Sequence, residues 1–253
     1  MAENIYTDEV ARLYELEHAG FEEDVHLYRS YALMTGGPVI ELGCGTGRLM
    51  LPLAQAGYEV TGVDSSPAML KRARHKLESS GARSWRLVQA DLSHLDGLPP
   101  EHFGLAFCAL NTWSHLWKAE HALAVLRAAH RVLRPAGLLV VDLEDPERRV
   151  PGRGELLLAG VFRDGEGTVT KTVAPLYDPA TATEDVTIIW DRLGDSGALH
   201  RTLTTTRMRP YGRGEMEQLL ARGGYSVREL LGSWELEEYA GRGDRLIFVA
   251  TRL

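Results

Sequence analysis

An apolar run ends in a carboxylate and then breaks into alternate glycines: VIELGCGTGRL, residues 39–49. Gly43, Gly45 and Gly47 stand at every second position there. That spacing suits a strand turning tightly into a helix, with main chain bare enough to lie against a ligand. An ordinary strand-to-helix loop would satisfy it too, so the rest of the chain has to decide.

The rest repeats one rhythm. Residues 1–36 read as helical, with Leu13, Leu16 and Phe21 and then Val25, Tyr28 and Ala32 on one face, until Gly36-Gly37-Pro38 stops them. A short strand over 38–42 leads to a helix over 48–57, where Leu49, Leu53 and Ala56 are helically spaced and Gly57 is a natural stop. The strand at 58–64 is followed by Ser66-Pro67, an N-cap with proline in the first helical position, opening a helix to about Ser80. Strands follow at 85–91, 103–110 and 138–143, with a helix between the last two carrying Ala122, Leu126, Ala129 and Leu133 on one side. Near-continuous apolar strands alternating with helices predict a parallel sheet covered on both faces.

After Asp145-Pro146 the rhythm changes. Residues 155–210 hold alternating runs divided by DGEG (164–167), DPAT (178–181) and GDSG (194–197), which predicts an antiparallel meander of three or four strands. A helix at RGEMEQLLARGG and strands at YSVREL and DRLIFVATR return to the first pattern.

Composition narrows the function. The 253 residues are 44% apolar and 25% charged, as in an ordinary globular protein, with a formal charge of −7. An acidic chain with no long Lys/Arg run is a poor match for a nucleic-acid backbone. Two cysteines, Cys44 and Cys108, do not make a disulfide framework. The first residues are acidic with no apolar leader, and no 18-residue apolar stretch occurs, so the expectation is a cytoplasmic protein without a membrane partner.

Two carboxylates accompany the glycines. Asp64 ends the second strand, 21 residues past Gly43, where it can accept both hydroxyls of a ribose. Asp91 ends the third, where it can take the exocyclic amine of an adenine. The pattern G-x-G-x-G lacks the longer dinucleotide spacing, and Glu41 would repel a pyrophosphate but attract a cation. S-adenosylmethionine, with its adenosine, cationic group and amino-acid tail, fits these residues.

VIELGCGTGRL, VTGVDSSPAML, VQADL and VLRPAGLLVVDLEDP resemble, in order and spacing, the motifs of class I S-adenosylmethionine-dependent methyltransferases. The resemblance spans residues 38–145 and extends to the last helix and two strands. It implies a Rossmann-like, doubly wound, mostly parallel seven-stranded sheet ending in an antiparallel hairpin. It also implies an N-terminal helical lid at 1–36, a core at 37–150 and 211–253, and an antiparallel β insertion at 151–210 over the acceptor pocket. By the same resemblance Gly43, Cys44, Gly45 and Gly47 underlie the methionine part and ribose, and Glu41 supports their loop. Asp64 and Ser65 take the ribose with Met69 nearby, Asp91 and Leu92 hold the adenine, and Leu110 completes the cofactor-binding set.

The acceptor side is read from ALNTWSHL, residues 109–116, which is not the N/D-P-P-Y/F motif of exocyclic-amine methyltransferases. It resembles the loop of glycine and sarcosine N-methyltransferases, making Asn111 and His115 the expected pocket residues. Tyr14 in LYELEH resembles the family's lid tyrosine, with Tyr28 a weaker candidate. The meander resembles the small lid of glycine-type and amino-sugar N-methyltransferases, and Arg207, Arg209 and Tyr211 end it. An arginine there could hold a carboxylate. Glu144 and Asp145, however, stand where a glycine methyltransferase would place an arginine, which favours a cationic amine. The expectation is therefore a monomeric or homodimeric enzyme methylating a small molecule, on nitrogen sooner than oxygen, with no metal. A non-catalytic S-adenosylmethionine-binding module and a nicotinamide-dependent oxidoreductase are the alternatives.

Overall fold

The computed structural model describes residues 6–148, 152–165, 167–194 and 196–253. Residues 1–5 of the segment read as helical, the junction at 149–151, Glu166 of DGEG and Asp195 of GDSG lie outside the described residues.

Contacts divide the chain into two units, Met1–Phe21 with Val150–Pro210 and Glu22–Arg149 with Tyr211–Leu253. The larger unit opens with α2 (Val25–Thr35) and then alternates β1 (Val39–Leu42), α3 (Met50–Gln55), β2 (Val60–Asp64), α4 (Pro67–Ser79), β3 (Trp85–Gln89), β4 (Phe103–Cys108), α5 (Ala119–Val132) and β5 (Leu133–Glu144). It closes with α6 (Arg213–Arg222), β10 (Tyr225–Leu231) and β11 (Arg245–Arg252). The seven strands lie in the order β10-β11-β5-β4-β1-β2-β3. β1 to β5 run parallel, while β11 pairs antiparallel with both β5 and β10.

Residue alternation explains the two covered faces. Along β4, Ala106 and Cys108 join the cluster containing α5 and α6, whereas Leu105 and Phe107 join the cluster containing α2 and α3. All six β4 residues are buried, as a central strand between two helical layers requires. The strand order turns back at β1, with β4 on one side and β2 on the other, so a crevice opens beyond the carboxyl ends of these strands.

The smaller unit carries α1 (Asp8–Glu17) and an antiparallel sheet of β6 (Leu157–Asp164), β7 (Gly167–Asp178), β8 (Thr183–Gly194) and β9 (Leu199–Met208). Thr7 caps α1 by accepting from the Val10 amide at 3.2 Å. Val10 and Leu13 pack on Val169 and Trp190 of the sheet. Arg12–Asp164 at 3.0 Å and Lys171–Glu17 at 2.6 Å flank that contact.

Two readings change. The helical stretch to residue 36 is broken between Glu17 and Val25, with Gly20 at φ +81°, and α2 groups with the core sheet instead of with α1. Leu133, expected on a helix face, is the first residue of β5 and pairs with Phe103.

Candidate functional site

The turn after β1 puts Gly43, Gly45 and Gly47 at φ +79°, +51° and +73°, a region that disfavours side chains. The amides of Gly43 and Cys44 both donate to the Val63 carbonyl, at 2.8 and 3.0 Å, which fastens the turn to β2. A Cβ on Gly43 would sit 2.3 Å from Thr112 Cγ2, and one on Gly47 3.1 Å from Ala73 Cβ. The chain's own packing therefore demands those two glycines, in addition to any ligand. Cys44 is buried against Gly62 and plays the packing part expected of a small thiol.

Asp64 turns toward the loop. Its Oδ2 accepts from the Gly45 amide at 2.9 Å and its Oδ1 from the Ser66 amide at 2.8 Å. One carboxylate thus braces the glycine turn and the entry to α4 together. Burial pushes its carboxyl above the ordinary carboxylate range, opposed by these backbone hydrogen bonds. Ser66 caps α4 by accepting from Met69 N at 3.3 Å; Met69 is buried and Ser65 is exposed. Asp91, past the end of β3, accepts from Ser93 N at 2.9 Å, Ser93 Oγ at 2.6 Å and His121 Nε2 at 2.9 Å. Partial burial would raise its carboxyl, but the Ser93 and His121 bonds bring it to about 2. Leu92 beside it packs against the core.

Glu41 is the anomaly of the site. It is buried, and among the described residues its Oε2 has no hydrogen-bond partner. Burial drives its carboxyl well above the ordinary range, with Arg48 opposing and Asp24 and Asp64 adding to the rise. Arg48 is engaged by buried Asp24 through both ends of its guanidinium, at 2.5 and 2.6 Å.

Beyond β4 the chain enters a left-handed pair, Leu110 at φ +46° and Asn111 at φ +60°, followed by one 3-10 turn over Thr112–His115. Buried Asp142 on β5 organises this segment. Its Oδ2 accepts from Leu110 N at 3.2 Å, Trp234 Nε1 at 3.1 Å and the Tyr28 hydroxyl at 3.4 Å. Its Oδ1 accepts from Arg245 Nε at 2.7 Å, and its carbonyl from Asn111 N at 3.1 Å. The Asn111 side-chain oxygen accepts from Glu144 N at 2.5 Å and Arg245 Nη2 at 3.3 Å. Burial lowers the pKa of His115, which favours the neutral imidazole. Tyr211 donates to the Leu116 carbonyl one residue further on.

Several expected residues already have partners in the protein. Tyr28 is fully buried against Phe107 and serves the Asp142 cluster. Arg207 pairs with Asp185 across β8 and β9 at 2.6 Å, and Arg209 donates to the Thr181 carbonyl. Tyr14 belongs to the smaller unit, stacked on His18 with centroids 4.1 Å apart. Asp142, Arg245 and Trp234 were not singled out by sequence. Asp142 looks like one more residue of an apolar strand, and its partner lies 103 positions away.

Next to Asn111 a cavity of about 460 Å³ opens at the carboxyl end of β5. Its lining holds Glu144, Glu235 and Trp234 together with Arg245. Asp145, also on its wall, accepts from Tyr239 and Gly243 and is buried. Among the described residues no three His, Cys, Asp or Glu side chains are grouped to hold a metal, and no helix is long and apolar enough to cross a membrane.

A crevice at a reversal of strand order, a glycine turn in left-handed backbone and a carboxylate on the neighbouring strand define a Rossmann-like nucleoside-binding domain. The comparisons carry this further. Residues 39–137 match the family model described as a methyltransferase domain. YqeM of Bacillus subtilis, named as a methyltransferase, is 24% identical over 220 residues, covering 85% of this chain and 84% of that protein. The CcbJ methyltransferase of Streptomyces caelestis is 25% identical with a TM-score of 0.77, over 92% of this chain and 90% of that one. CalS10, an amino pentose methyltransferase solved with S-adenosylmethionine, shares the fold at 22% identity, with a TM-score of 0.74 over 100% of both chains. Residues 39–137 form a methyltransferase domain, and the chain is an S-adenosylmethionine-dependent methyltransferase of Rossmann-like fold.

The residues fit that cofactor. Glu41, two positions before Gly43, offers a buried oxygen with no partner among the described residues, and Asp64, bonded to the Gly45 amide, would hold the ribose. When bound, S-adenosylmethionine supplies an activated methyl group on a sulfonium. The protein's task is to orient the acceptor and exclude water.

Proposed function

We propose that this methyltransferase acts on the nitrogen of a small, positively charged amine. The carrying observation is the charge of the cavity beside Asn111. Five carboxylates, from Glu23, Glu144, Asp145, Glu235 and Asp244, line it against two guanidiniums, from Arg148 and Arg245. Both guanidiniums have acidic partners, Asp244 and Asp142. A net acidic wall favours a cation and disfavours a free carboxylate. The indole of Trp234 adds an apolar face for the body of such a substrate.

An ammonium must lose its proton before its lone pair can attack. For such an amine no strong protein base is required, and we assign His115 with Asn111 to orienting the lone pair. The readings of Asn111 as an orienting residue, of Tyr14 as a ligand cover and of residues 151–210 as a lid belong to the same proposal. The name of CalS10 describes a methyltransferase of an amino pentose, and a glycine/sarcosine N-methyltransferase of Parasynechococcus marenigrum is 24% identical over 203 residues. Both names accord with nitrogen as the acceptor atom.

The test is transfer of a labelled methyl group to a panel of amino sugars and amino alcohols, with matched hydroxyl-only compounds beside them. Label entering the amines, and falling at least about tenfold in Glu144→Gln, supports the reading. Label entering only the hydroxyl compounds overturns it. In that case His115 becomes the general base for a hydroxyl, and His115→Ala would remove the acidic limb of the pH–rate profile, where protonation of the imidazole switches the base off.

A further inference from the structure

Two consecutive non-glycine residues in the left-handed region need an explanation. Leu110 and Asn111 hold φ +46° and +60°, and such conformations cost of order 1 kcal/mol or more each. They persist only where the surroundings impose them. Here the surroundings centre on one ion pair, Asp142 with Arg245. Asp142 takes the Leu110 amide on its carboxylate and the Asn111 amide on its carbonyl, while Arg245 joins Asp142 to the Asn111 side chain. Asp142 is fully buried and Arg245 nearly so, which makes the pair a rigid brace and not a surface decoration.

The braced turn abuts the donor loop. Thr112 Cγ2 lies 2.3 Å from where a Gly43 Cβ would be, so the two segments touch. Strand order says which side this is. β2, bearing Asp64, flanks β1 on one side and β4 flanks it on the other. A nucleoside held by Asp64 leaves the methionine part to run toward β4, and the transferring methyl with it.

The Asn111 amide also has a fixed duty. Its oxygen already accepts from Glu144 N and Arg245, so the side chain acts as an anchor. We propose that Asp142 and Arg245 are positioning residues for methyl transfer, acting through Leu110 and Asn111 to hold the turn after β4 against the side of the donor from which the methyl leaves. This rests on the donor site and stands apart from the amine reading.

The test needs no acceptor. S-Adenosylhomocysteine lacks the transferring group, whereas sinefungin carries a charged amine in its place. The ratio of their affinities therefore reports on the transfer side alone. Calorimetry on the full chain should show Arg245→Gln binding S-adenosylhomocysteine within about twofold of wild type while sinefungin weakens about tenfold. Arg245→Lys, which keeps the charge but not the fork, should recover part of the ratio. Asn111→Gly relaxes the strained φ and removes the anchor. It should depress the ratio as Arg245→Gln does, without lowering Tm, and Arg245→Gln should then add nothing in the Asn111→Gly background. The proposal is overturned if both ligands weaken in step, if the ratio is unmoved in the folded variants, or if the two substitutions add independently. Should Arg245→Gln not fold, Arg245→Lys and Asn111→Gly decide by the same ratio.

Discussion

The Asp64 carboxylate accepts a hydrogen bond from the Gly45 amide at 2.9 Å, so the acid expected to hold a ribose also holds the glycine turn. Ligand contact and loop conformation are therefore not separable at this position.

Asp64→Ala should lose both functions. It removes two charge-assisted bonds to backbone amides, each worth roughly 1.5–3 kcal/mol. The expected outcome is a lower Tm together with at least about a hundredfold loss of S-adenosylhomocysteine affinity. Asp64→Asn keeps the shape and should sit between the two. An Asp64→Ala protein that binds at wild-type affinity in calorimetry would exclude this acid from the cofactor site.

Gly43→Ala should fail for a reason internal to the protein. The new methyl would fall 2.3 Å from Thr112 Cγ2 at a φ of +79°. Destabilisation of about 1–3 kcal/mol is expected from overpacking. Thr112→Ser deletes that methyl, and should restore part of the Tm in the double variant. Equal melting of Gly43→Ala with and without Thr112→Ser would show that the strain lies in the backbone alone.

Glu41→Gln should stabilise the ligand-free protein at neutral pH. Burial raises the folded-state pKa of Glu41 above its ordinary 4.5, so the unfolded chain loses this proton first. Stability from this group is full below 4.5 and is lost as pH rises toward the folded value. A neutral amide removes that slope. Urea titrations from pH 4 to pH 8 should give a flatter profile for the variant, with weaker binding of the cationic cofactor beside it. A variant no more stable than wild type at pH 8 would mean the orphaned oxygen is satisfied.

His115 works in the opposite sense. Its folded-state pKa is lowered by burial, so the unfolded chain takes up a proton first as pH falls below 6.5. Stability is present above 6.5 and declines on acidification toward the folded value. His115→Gln should remove that decline between pH 7 and pH 5, read as denaturant midpoint against pH. An unchanged pH dependence would indicate an imidazole open to water.

The sheet and the glycine turn were legible because their signals are local. An apolar run closed by Gly or Pro announces a strand, and Ser66-Pro67 announces a helix start by capping chemistry that operates within three residues. The break after Glu17 was missed because the apolar spacing continues across it, and Leu133 because an apolar residue suits a helix face and a strand equally. Asp91 lies two residues past the strand it was expected to end, and its hydrogen bond to His121 depends on α5, thirty positions later. The brace was illegible for the same reason. Nothing near Asp142 in the chain distinguishes it from a strand residue, and Arg245 resembles the polar start of an edge strand. Their pairing exists only once β11 lies against β5.

That strand arrives late. Asp142 leaves the ribosome 103 residues before Arg245, roughly 5–20 s earlier at ordinary elongation rates. In that interval a carboxylate destined for the interior has no counter-charge, and the edge of β5 that β11 will cover stays unpaired. A nascent chain can thus assemble the nucleoside half of its crevice while the opposite wall is still unbuilt.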